Sequence, residues 1–389
     1  MTPGARVQAA IDLLDDILAG AAAEKALTNW ARGSRFAGSK DRRAVRDHVY
    51  QALRCKRSFA ALGGAMTGRG LMLGAARQQG WEVDQIFSGQ GHAPAPLDPE
   101  ENAAILPDDT NATWDLPDWM IPLFQDALGD AALPTAHLLT HRAPVMARVN
   151  LRKSNVAAMI SELAAEAITA LDDPIAPAAL RVTQGGPKLQ NTRAYLEGRI
   201  ELQDGSSQAA MQGIDIPDGS KVLDYCAGGG GKSLALAARA QATWFAHDAL
   251  PHRMKDIATR AARADVQINT LSTDELHGQA PFDVVLCDVP CSGSGTWRRT
   301  PQAKWTLTEA ELTRLSTLQA EILTDGAALV ARTGQLIYAT CSLFDCENSL
   351  QINEFLARNP EWTCTRQMRW PVSENGDGFF VAHLERAGV

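Results

Sequence analysis

The sequence predicts an α/β protein in which a doubly wound, mostly parallel sheet is preceded by a small α+β subdomain and an all-α N-terminal domain. Three observations predict this fold class. The 389 residues are enough for two or three domains. Apolar residues recur at helical spacing near the N-terminus. After residue 220, short apolar strands alternate with helices, which is typical of a parallel sheet covered on both faces.

Composition excludes several classes of protein. Lys and Arg total 37 against 45 Asp and Glu, and the net charge of −8 excludes a uniformly basic surface for nucleic acid. Charged residues interrupt any signal-peptide core in the first twenty positions, and no apolar run approaches the roughly 18 residues of a membrane span. The 7 cysteines are an odd number spread over a long chain, which is not typical of a disulfide framework. We therefore predict a cytoplasmic protein without a membrane partner.

Residues 1–92 are predicted to form the helical domain. Val7, Ile11, Leu14 and Ile17 follow helical spacing. The stretch from Arg32 to Arg57 holds nine basic and two acidic residues, a local net charge of +7. Taken alone, such a stretch is more often a solvated helix face than a phosphate-binding surface. It includes an apolar stripe, which should be buried, at Val45, Val49 and Leu53.

Residues 93–118 are predicted to be an acidic, proline-rich linker. The segment contains five prolines and no Lys or Arg, and seven acidic residues lie between Asp98 and Asp118.

Residues 119–204 should form the small α+β subdomain. Its predicted elements are a helix over Trp119–Leu128, a strand over Met146–Leu151, a helix near Val156–Ala167, and strands around Leu180–Thr183 and Tyr195–Leu202.

Residues 205–389 are predicted to form the doubly wound sheet. The strands are expected at Lys221–Cys226, Thr243–His247, Gln267–Leu271, Phe282–Cys287, Gly334–Ala339 and Phe379–Leu384. The helices between and after them are expected at Lys232–Ala240, His252–Ala264, Thr308–Ala331 and Glu347–Arg358. Ligands of such sheets bind at the carboxyl ends of the strands.

A glycine-rich turn follows the first of these strands. Four glycines lead into Lys232, so backbone N–H groups can approach a ligand closely. A Walker A phosphate loop would need glycine at position 226, which is Cys226. A dinucleotide fingerprint is weakly compatible. S-adenosylmethionine binding is the third interpretation, because Asp248 ends the second strand and suits the ribose hydroxyls, while Asp274 follows the third strand and suits the adenine. Either acid alone is as readily a helix cap or a loop residue.

Two cysteines lie at the ends of the fourth and fifth strands, in DVPCSGSGT and TCS. Most single cysteines are buried and inert, but Cys291 and Cys341 stand beside Gly, Ser and Thr at a ligand-binding edge, so we interpret them as candidate nucleophiles. A zinc site would also use Cys287 and Cys346. Cys287 should point away from Asp288, so we predict no metal.

Four motifs, DVPCSGSGTWRRTP, ATCSLFDCEN, LQDGSSQ and VLDYCAGGGGKS, together resemble the RsmB/Nop/Sun family of RNA cytosine-5 methyltransferases over residues 119–389. The N-terminal SKDRRAVRDHVYQALR more faintly resembles the NusB-like RNA-binding domain of the RsmB branch. The resemblance implies a Rossmann-like class I methyltransferase domain, an RRM-like α+β subdomain and RNA contacts by the basic stretch. The family's usual turn is close to CAAPGGK, whereas Gly228 and Gly229 stand here in place of Ala and Pro.

The resemblance also implies roles for individual residues. Cys341 is the nucleophile that attacks carbon 6 of cytosine, Cys291 assists proton removal and release, and Asp288 bonds the cytosine edge while Pro290 shapes the base pocket. A thiol must be ionised to act, and Arg298, Arg299 and Lys232 are candidates for lowering its pKa. The motifs and the resemblance together place the S-adenosylmethionine site at Cys226, Ala227, Gly228, Gly229, Gly230, Gly231, Lys232, Asp248, Arg253, Asp274, Asp288 and Pro290.

The expected function is therefore S-adenosylmethionine-dependent methylation of an RNA cytosine, with ribosomal RNA as the favoured partner and a monomer as the expected state. The alternatives are a tRNA methyltransferase with the same chemistry and a non-catalytic RNA-binding assembly factor. The presence of both Cys291 and Cys341 disfavours the assembly factor. A DNA methyltransferase is disfavoured because such enzymes usually lack the fifth-strand cysteine.

Overall fold

The computed structural model describes residues 1–102 and 111–388. The chain divides into two compact units. The helical unit comprises Met1–Arg142 together with Trp297–Thr306, and the α/β unit comprises Ala143–Thr296 together with Leu307–Val389. The chain thus leaves the α/β unit for ten residues after Thr296 and re-enters it at Leu307.

The helical unit is built around α1, whose N-terminus is capped by the Thr2 hydroxyl accepting the Ala5 N–H at 3.2 Å. Val45, Val49 and Leu53 are buried in its core, which confirms the predicted stripe. Its helices, numbered by their place in the chain, are α1 (Pro3–Leu18), α2 (Ala23–Gly33), α3 (Ser39–Arg54), α4 (Lys56–Gly63), α5 (Gly68–Gln78), α6 (Val83–Ile86), α7 (Pro99–Asn102), α8 (Met120–Leu128), α9 (Ala132–Leu139) and, after the excursion into the other unit, α16 (Ala303–Thr306).

The described part of the predicted linker has contacts within the helical unit. Asp115 is buried and accepts hydrogen bonds from the Arg57 and Ser58 N–H groups at 2.8 and 3.1 Å. The middle of the linker, residues 103–110, lies outside the described residues. The following helices, α8 and α9, also belong to this unit, because Phe124 stacks on Trp297 at 6.2 Å. The sequence analysis assigned that segment to the α+β subdomain.

The α/β unit begins with a four-stranded antiparallel sheet in the order β2-β3-β1-β4, as expected for the α+β subdomain. The predicted strand over Tyr195–Leu202 is wrong in its first half, because the Thr192 hydroxyl accepts the Tyr195 N–H and starts a helical turn there. The elements are β1 (Val145–Val149), α10 (Val156–Ala165), β2 (Thr169–Asp172), β3 (Ala179–Gln184), α11 (Arg193–Leu196) and β4 (Ile200–Leu202).

The second sheet has seven strands in the order β10-β11-β9-β8-β5-β6-β7, of which the five from β9 to β7 run parallel. This order confirms the predicted Rossmann-like sheet. Its strands are β5 (Lys221–Asp224), β6 (Thr243–His247), β7 (Ile268–Leu271), β8 (Phe282–Asp288), β9 (Val330–Thr340), β10 (Trp362–Trp370) and β11 (Phe379–Arg386). Its helices are α12 (Gly205–Gln212), α13 (Gly231–Ala237), α14 (Ile257–Ala264), α15 (Thr273–Gln279), α17 (Glu309–Leu329) and α18 (Ser349–Arg358).

Helices cover both faces of this sheet because alternate strand residues point to opposite sides. Leu223 and Val285 belong to a core that contains Leu323 of α17, whereas Val222 belongs to a core that contains Leu236 of α13.

Strand β10 was missed by the sequence analysis because only its first residue is fully buried, so it lacks an apolar run. The helix predicted over His252–Ala264 is divided, since a 3₁₀ turn precedes α14. Within the described ranges, no helix has the length and apolar content that a membrane crossing requires.

Candidate active site

The carboxyl ends of β5, β8 and β9 lie side by side at one edge of the seven-stranded sheet. Asp224 of β5 pairs with Leu286 of β8, and Asp288 at the end of β8 pairs with Ala339 of β9. The glycine turn and the loops that carry Cys291 and Cys341 follow these three strands directly. The parallel topology therefore brings together three motifs of which the first and the last are more than a hundred residues apart in the sequence.

The glycine turn needs glycine at specific positions. Gly228 and Gly230 have φ of 51° and 77°, the left-handed region that other residues adopt at a cost. A Cβ at Gly230 would also lie 3.0 Å from Cγ1 of Ile257. The turn is held to the next strand by the Ala227 N–H, which donates to the His247 carbonyl at 2.8 Å. The result is a side-chain-free stretch of backbone at the sheet edge, which fits a small ligand that approaches closely.

Asp248 lies beside this turn. Its buried carboxylate accepts the Gly228 N–H at 3.0 Å and the Leu250 N–H at 2.9 Å, and the Arg253 guanidinium lies 3.2 Å away. Asp274 is exposed in the first turn of α15, directly after β7. Asp248, the predicted ribose contact, and Asp274, the predicted adenine contact, thus follow the neighbouring strands β6 and β7. Both lie on the same edge of the sheet as the glycine turn.

Lys232 and Asp288 form an ion pair, with 2.5 Å between Nζ and Oδ2. Burial acts to lower the pKa of Lys232, but the charge of Asp288 and its hydrogen bond outweigh burial and raise that pKa. The pair keeps a cation and a carboxylate in fixed positions near the two cysteines. Lys232 also lies 5.3 Å from the ring centroid of Phe379.

Asp224 is a neighbour of this pair that the sequence analysis did not select. Burial raises its pKa to about 7, although the Ser233 hydroxyl donates to Oδ2 at 2.6 Å and acts in the opposite direction. Its other oxygen, Oδ1, is buried without a hydrogen-bond partner among the described residues. Its sequence signals were its place in the motif VLDYCAGGGGKS and its position as the last residue of β5.

The sulfur atoms of Cys291 and Cys341 lie 3.5 Å apart. The hydrogen bond with the Cys291 thiol lowers the pKa of Cys341 and outweighs burial, and Lys232 and Thr296 lower it further. The same hydrogen bond raises the pKa of Cys291 well above its ordinary value, with burial and the negative charges of Cys341 and Glu347 acting in the same direction. The pair therefore favours one state, a Cys341 thiolate beside a Cys291 thiol.

The other cysteines and Pro290 have different surroundings. Pro290 precedes Cys291, and its carbonyl accepts the Gln319 side-chain amide at 2.9 Å. Cys226 is half-buried, and desolvation raises its pKa. Cys287 is fully buried on the α17 side of the sheet, away from the thiol pair. Across the described residues, no group of His, Cys, Asp or Glu is arranged to hold a metal ion.

Of the three cations considered for activating the thiol, Lys232 contributes to lowering the pKa of Cys341. Arg298 and Arg299 belong instead to the segment that folds with the helical unit, where Arg298 is buried. A further residue that sequence reasoning missed is Glu347, whose buried carboxylate bonds residues of both cysteine loops. Its sequence signal was its place in the motif ATCSLFDCEN, five residues after Ser342.

Comparisons with known proteins show which family this chain resembles. A family model described as 16S rRNA methyltransferase RsmB/F matches residues 211–385, and one described as an RsmF/B-like ferredoxin-like domain matches residues 116–188. Ribosomal RNA small subunit methyltransferase B of Klebsiella pneumoniae subsp. pneumoniae is 32% identical over 285 residues, covering 69% of this chain and 65% of that relative. The protein of that name in Cronobacter sakazakii is 30% identical over 333 residues, covering 81% of this chain and 73% of the relative.

The crystal structure of PH0851 has a TM-score of 0.75 to this chain at 24% identity and covers 99% of both chains, which shows a shared fold. The sheet order, the glycine turn and the strand-end cysteines define a protein of the Rossmann-like methyltransferase class. The chain belongs to the RsmB/F methyltransferase family. It spans just under two thirds of the length of the Klebsiella relative, at 65%.

Proposed function

We propose that this protein transfers a methyl group from S-adenosylmethionine to carbon 5 of a cytosine in RNA, through a covalent bond between Cys341 and the base. The observation that carries the proposal is the cysteine pair: two sulfurs at 3.5 Å whose pKa values are shifted in opposite directions. Such an arrangement supplies a nucleophile and a separate proton carrier at one place.

Cys341 performs the first step. Its thiolate forms a bond to carbon 6 of cytosine, and the electron pair of the C5–C6 double bond moves into the ring, where protonation at N3 neutralises it. Carbon 5 thereby becomes nucleophilic. S-adenosylmethionine supplies the electrophilic methyl group and retains the electron pair of the broken sulfur–carbon bond as S-adenosylhomocysteine. The glycine turn and Asp248 are the residues that would hold this cosubstrate.

Cys291 serves the last step. Once the sulfur of Cys341 is bonded to carbon 6, the negative charge that raised the pKa of Cys291 is gone, so Cys291 ionises more readily than before. Its proton passes to water, and the Cys291 thiolate can then take the proton from carbon 5. The released electron pair restores the C5–C6 double bond, the bond from Cys341 to carbon 6 breaks, and N3 loses its added proton.

Asp288 and Lys232 support the base. The carboxylate of Asp288 is positioned by Lys232 at the end of β8, and it can accept a hydrogen bond from a protonated N3 or from the amino group of the cytosine edge. A base can enter this site only when it is unstacked or single-stranded. Pro290, next to Cys291, would form part of the pocket wall.

We infer ribosomal RNA as the substrate, because the matching relatives are named ribosomal RNA small subunit methyltransferase B. We expect the protein to act in the cytoplasm, as a monomer and without a metal ion. Methylation of a tRNA would use the same two cysteines and the same S-adenosylmethionine site. A non-catalytic assembly factor would bind RNA without any methyl transfer.

The proposal is tested with purified protein, S-adenosylmethionine carrying a labelled methyl group, and ribosomal RNA from cells lacking the gene. The wild type should introduce 5-methylcytosine, mapped by bisulfite sequencing. Cys341→Ala should abolish transfer, whereas Cys291→Ala should accumulate protein covalently bound to RNA. Adduct formation by Cys341→Ala instead would reverse the two roles. Label in tRNA only would support the tRNA alternative, and RNA binding without any label would support the assembly factor.

A further inference from the structure

Glu347 is a fully buried carboxylate between the two cysteine loops. Its Oε1 accepts the Ser292 N–H at 2.8 Å and the Gln319 side-chain amide at 2.9 Å, and its Oε2 accepts the hydroxyls of Ser292 and Ser342, each at 2.5 Å. Ser292 follows Cys291 directly and Ser342 follows Cys341. One carboxylate therefore bonds the immediate neighbours of both sulfurs.

The main chain at Glu347 is anchored as well. The Tyr338 hydroxyl of β9 donates to the Glu347 carbonyl at 2.6 Å. The next residue, Asn348, accepts the Thr340 hydroxyl at 2.5 Å and donates to the Ser342 carbonyl at 3.0 Å. A buried carboxylate is costly unless it is well bonded, and this one receives four hydrogen bonds, so its position is strongly determined.

The Glu347 carboxylate is bonded more to the Cys291 loop than to the Cys341 loop, because Ser292 donates to it twice and Ser342 once. It is among the groups that raise the pKa of Cys291, whereas the groups that lower the pKa of Cys341 are Cys291 itself, Lys232 and Thr296. The other charged or titratable groups that face the pair are Asp288 of β8, which acts to raise the pKa of Cys341, and Tyr338 of β9, whose own pKa is raised by burial. Glu347 thus adds negative charge on the Cys291 side.

We propose that Glu347 is a positioning residue: its carboxylate holds the loop of Cys291 against the loop of Cys341 and keeps the proton of the sulfur pair on Cys291, so that Cys341 carries the thiolate. Glu347 does not touch the base or the cosubstrate in this role. The proposal rests on the proposed function, because a Cys341 thiolate is needed only if Cys341 is the nucleophile. The distribution of the proton between the two sulfurs can nevertheless be measured without RNA.

The test is competitive alkylation of the full-length protein by iodoacetamide from pH 6 to pH 9, with Cys291 and Cys341 quantified as separate peptides. The wild type should be alkylated first at Cys341. In Glu347→Gln, the ratio of Cys341 to Cys291 modification should fall by about tenfold, the change that corresponds to one pKa unit. Glu354→Gln on the exposed face of α18 is the matched control and should leave the ratio unchanged.

Two further variants keep the proposal testable if Glu347→Gln does not fold. Ser292→Ala and Ser342→Ala each remove one hydroxyl that donates to the carboxylate, and each should lower the ratio severalfold. An unchanged ratio in a folded Glu347→Gln, or in both serine variants, would overturn the proposal. A changed ratio in a protein that methylates no RNA would instead leave Glu347 as a positioning residue and refute the proposed function.

Discussion

At the scale of single residues, the site depends on the environment of one thiol. Cys341 is surrounded by donors and a cation that favour its thiolate, whereas burial and Asp288 oppose it. Lys232 acts twice in this balance, because its charge lowers the pKa of Cys341 and it also pairs with Asp288, the carboxylate that raises that pKa. An ordinary thiol is only slightly ionised at neutral pH, so this compensation bears directly on reactivity.

Replacement of Lys232 by Met should raise the pKa of Cys341, because the cation is lost and Asp288 is left uncompensated. The pH at which alkylation of Cys341 reaches half its maximal rate should rise by about one unit, the shift that follows from losing roughly 1.4 kcal/mol of favourable interaction. Iodoacetamide kinetics across pH measure this midpoint. Lys255→Met, at an exposed position, is the control, and an unshifted midpoint in Lys232→Met would contradict the assignment.

At the scale of elements, the segment Trp297–Thr306 shows how a helix end is completed from elsewhere in the chain. The last carbonyls of α3 lack partners within the helix. Nζ of Lys304 donates to the Arg54 carbonyl at 2.8 Å, and Nε1 of Trp305 donates to the Leu53 carbonyl at 2.7 Å. Lys304 is almost fully buried, and burial lowers its pKa to about 8 despite the opposing charge of Asp115.

This lowered pKa predicts a pH-dependent stability. The unfolded chain binds a proton at Lys304 up to a pKa of 10.5, whereas the folded protein loses it at about 8, so the contribution of this group to stability rises between those two pH values. Lys304→Met removes that dependence. Urea unfolding of both proteins between pH 7 and pH 10.5 should therefore show wild type gaining stability relative to Lys304→Met as pH rises. A difference that stays constant with pH would refute the assignment.

At the scale of the whole molecule, the net charge of −8 averages over regions of opposite sign. The stretch from Arg32 to Arg57 carries +7, while seven acidic residues lie between Asp98 and Asp118. In the helical unit, Arg32, Arg42 and Arg46 line a recess of about 490 Å³ beside Trp30. We propose this basic surface as an RNA-contacting region, since phosphate contacts depend on local charge and not on the total.

Replacing Arg42 and Arg43 together by Gln should weaken binding of a ribosomal RNA fragment with little dependence on its sequence. The slope of log affinity against log salt should decrease by about 1.4 if both side chains contact phosphates of single-stranded RNA. Fluorescence anisotropy at several salt concentrations measures both quantities. The control Arg314→Gln with Arg358→Gln removes the same charge from α17 and α18, and an equal effect there would show that only net charge matters.

Much of the architecture was predictable because its signals are local. The strand–helix alternation after residue 220 reflects burial of both sheet faces, and glycines that must adopt positive φ mark the turn after β5. Cys291, Cys341 and Asp288 were also predictable, because each lies in a short motif at the end of a predicted strand. Edge strand β10 escaped prediction because its residues are weakly apolar. The helical turn at Arg193–Leu196 escaped prediction because the Thr192 cap starts a helix in a segment with strand-like residues.

By itself the sequence determined most of the helices and strands, the sheet type and the two cysteines at neighbouring strand ends. The tertiary structure decided what those cysteines are next to: a sulfur–sulfur distance of 3.5 Å, a lysine paired with Asp288, and Glu347 bonding both loops. The physical reason is that pKa values and hydrogen bonds depend on distance and burial in space. Ser292 and Glu347 are 55 residues apart in the chain, so no local pattern predicted their contact.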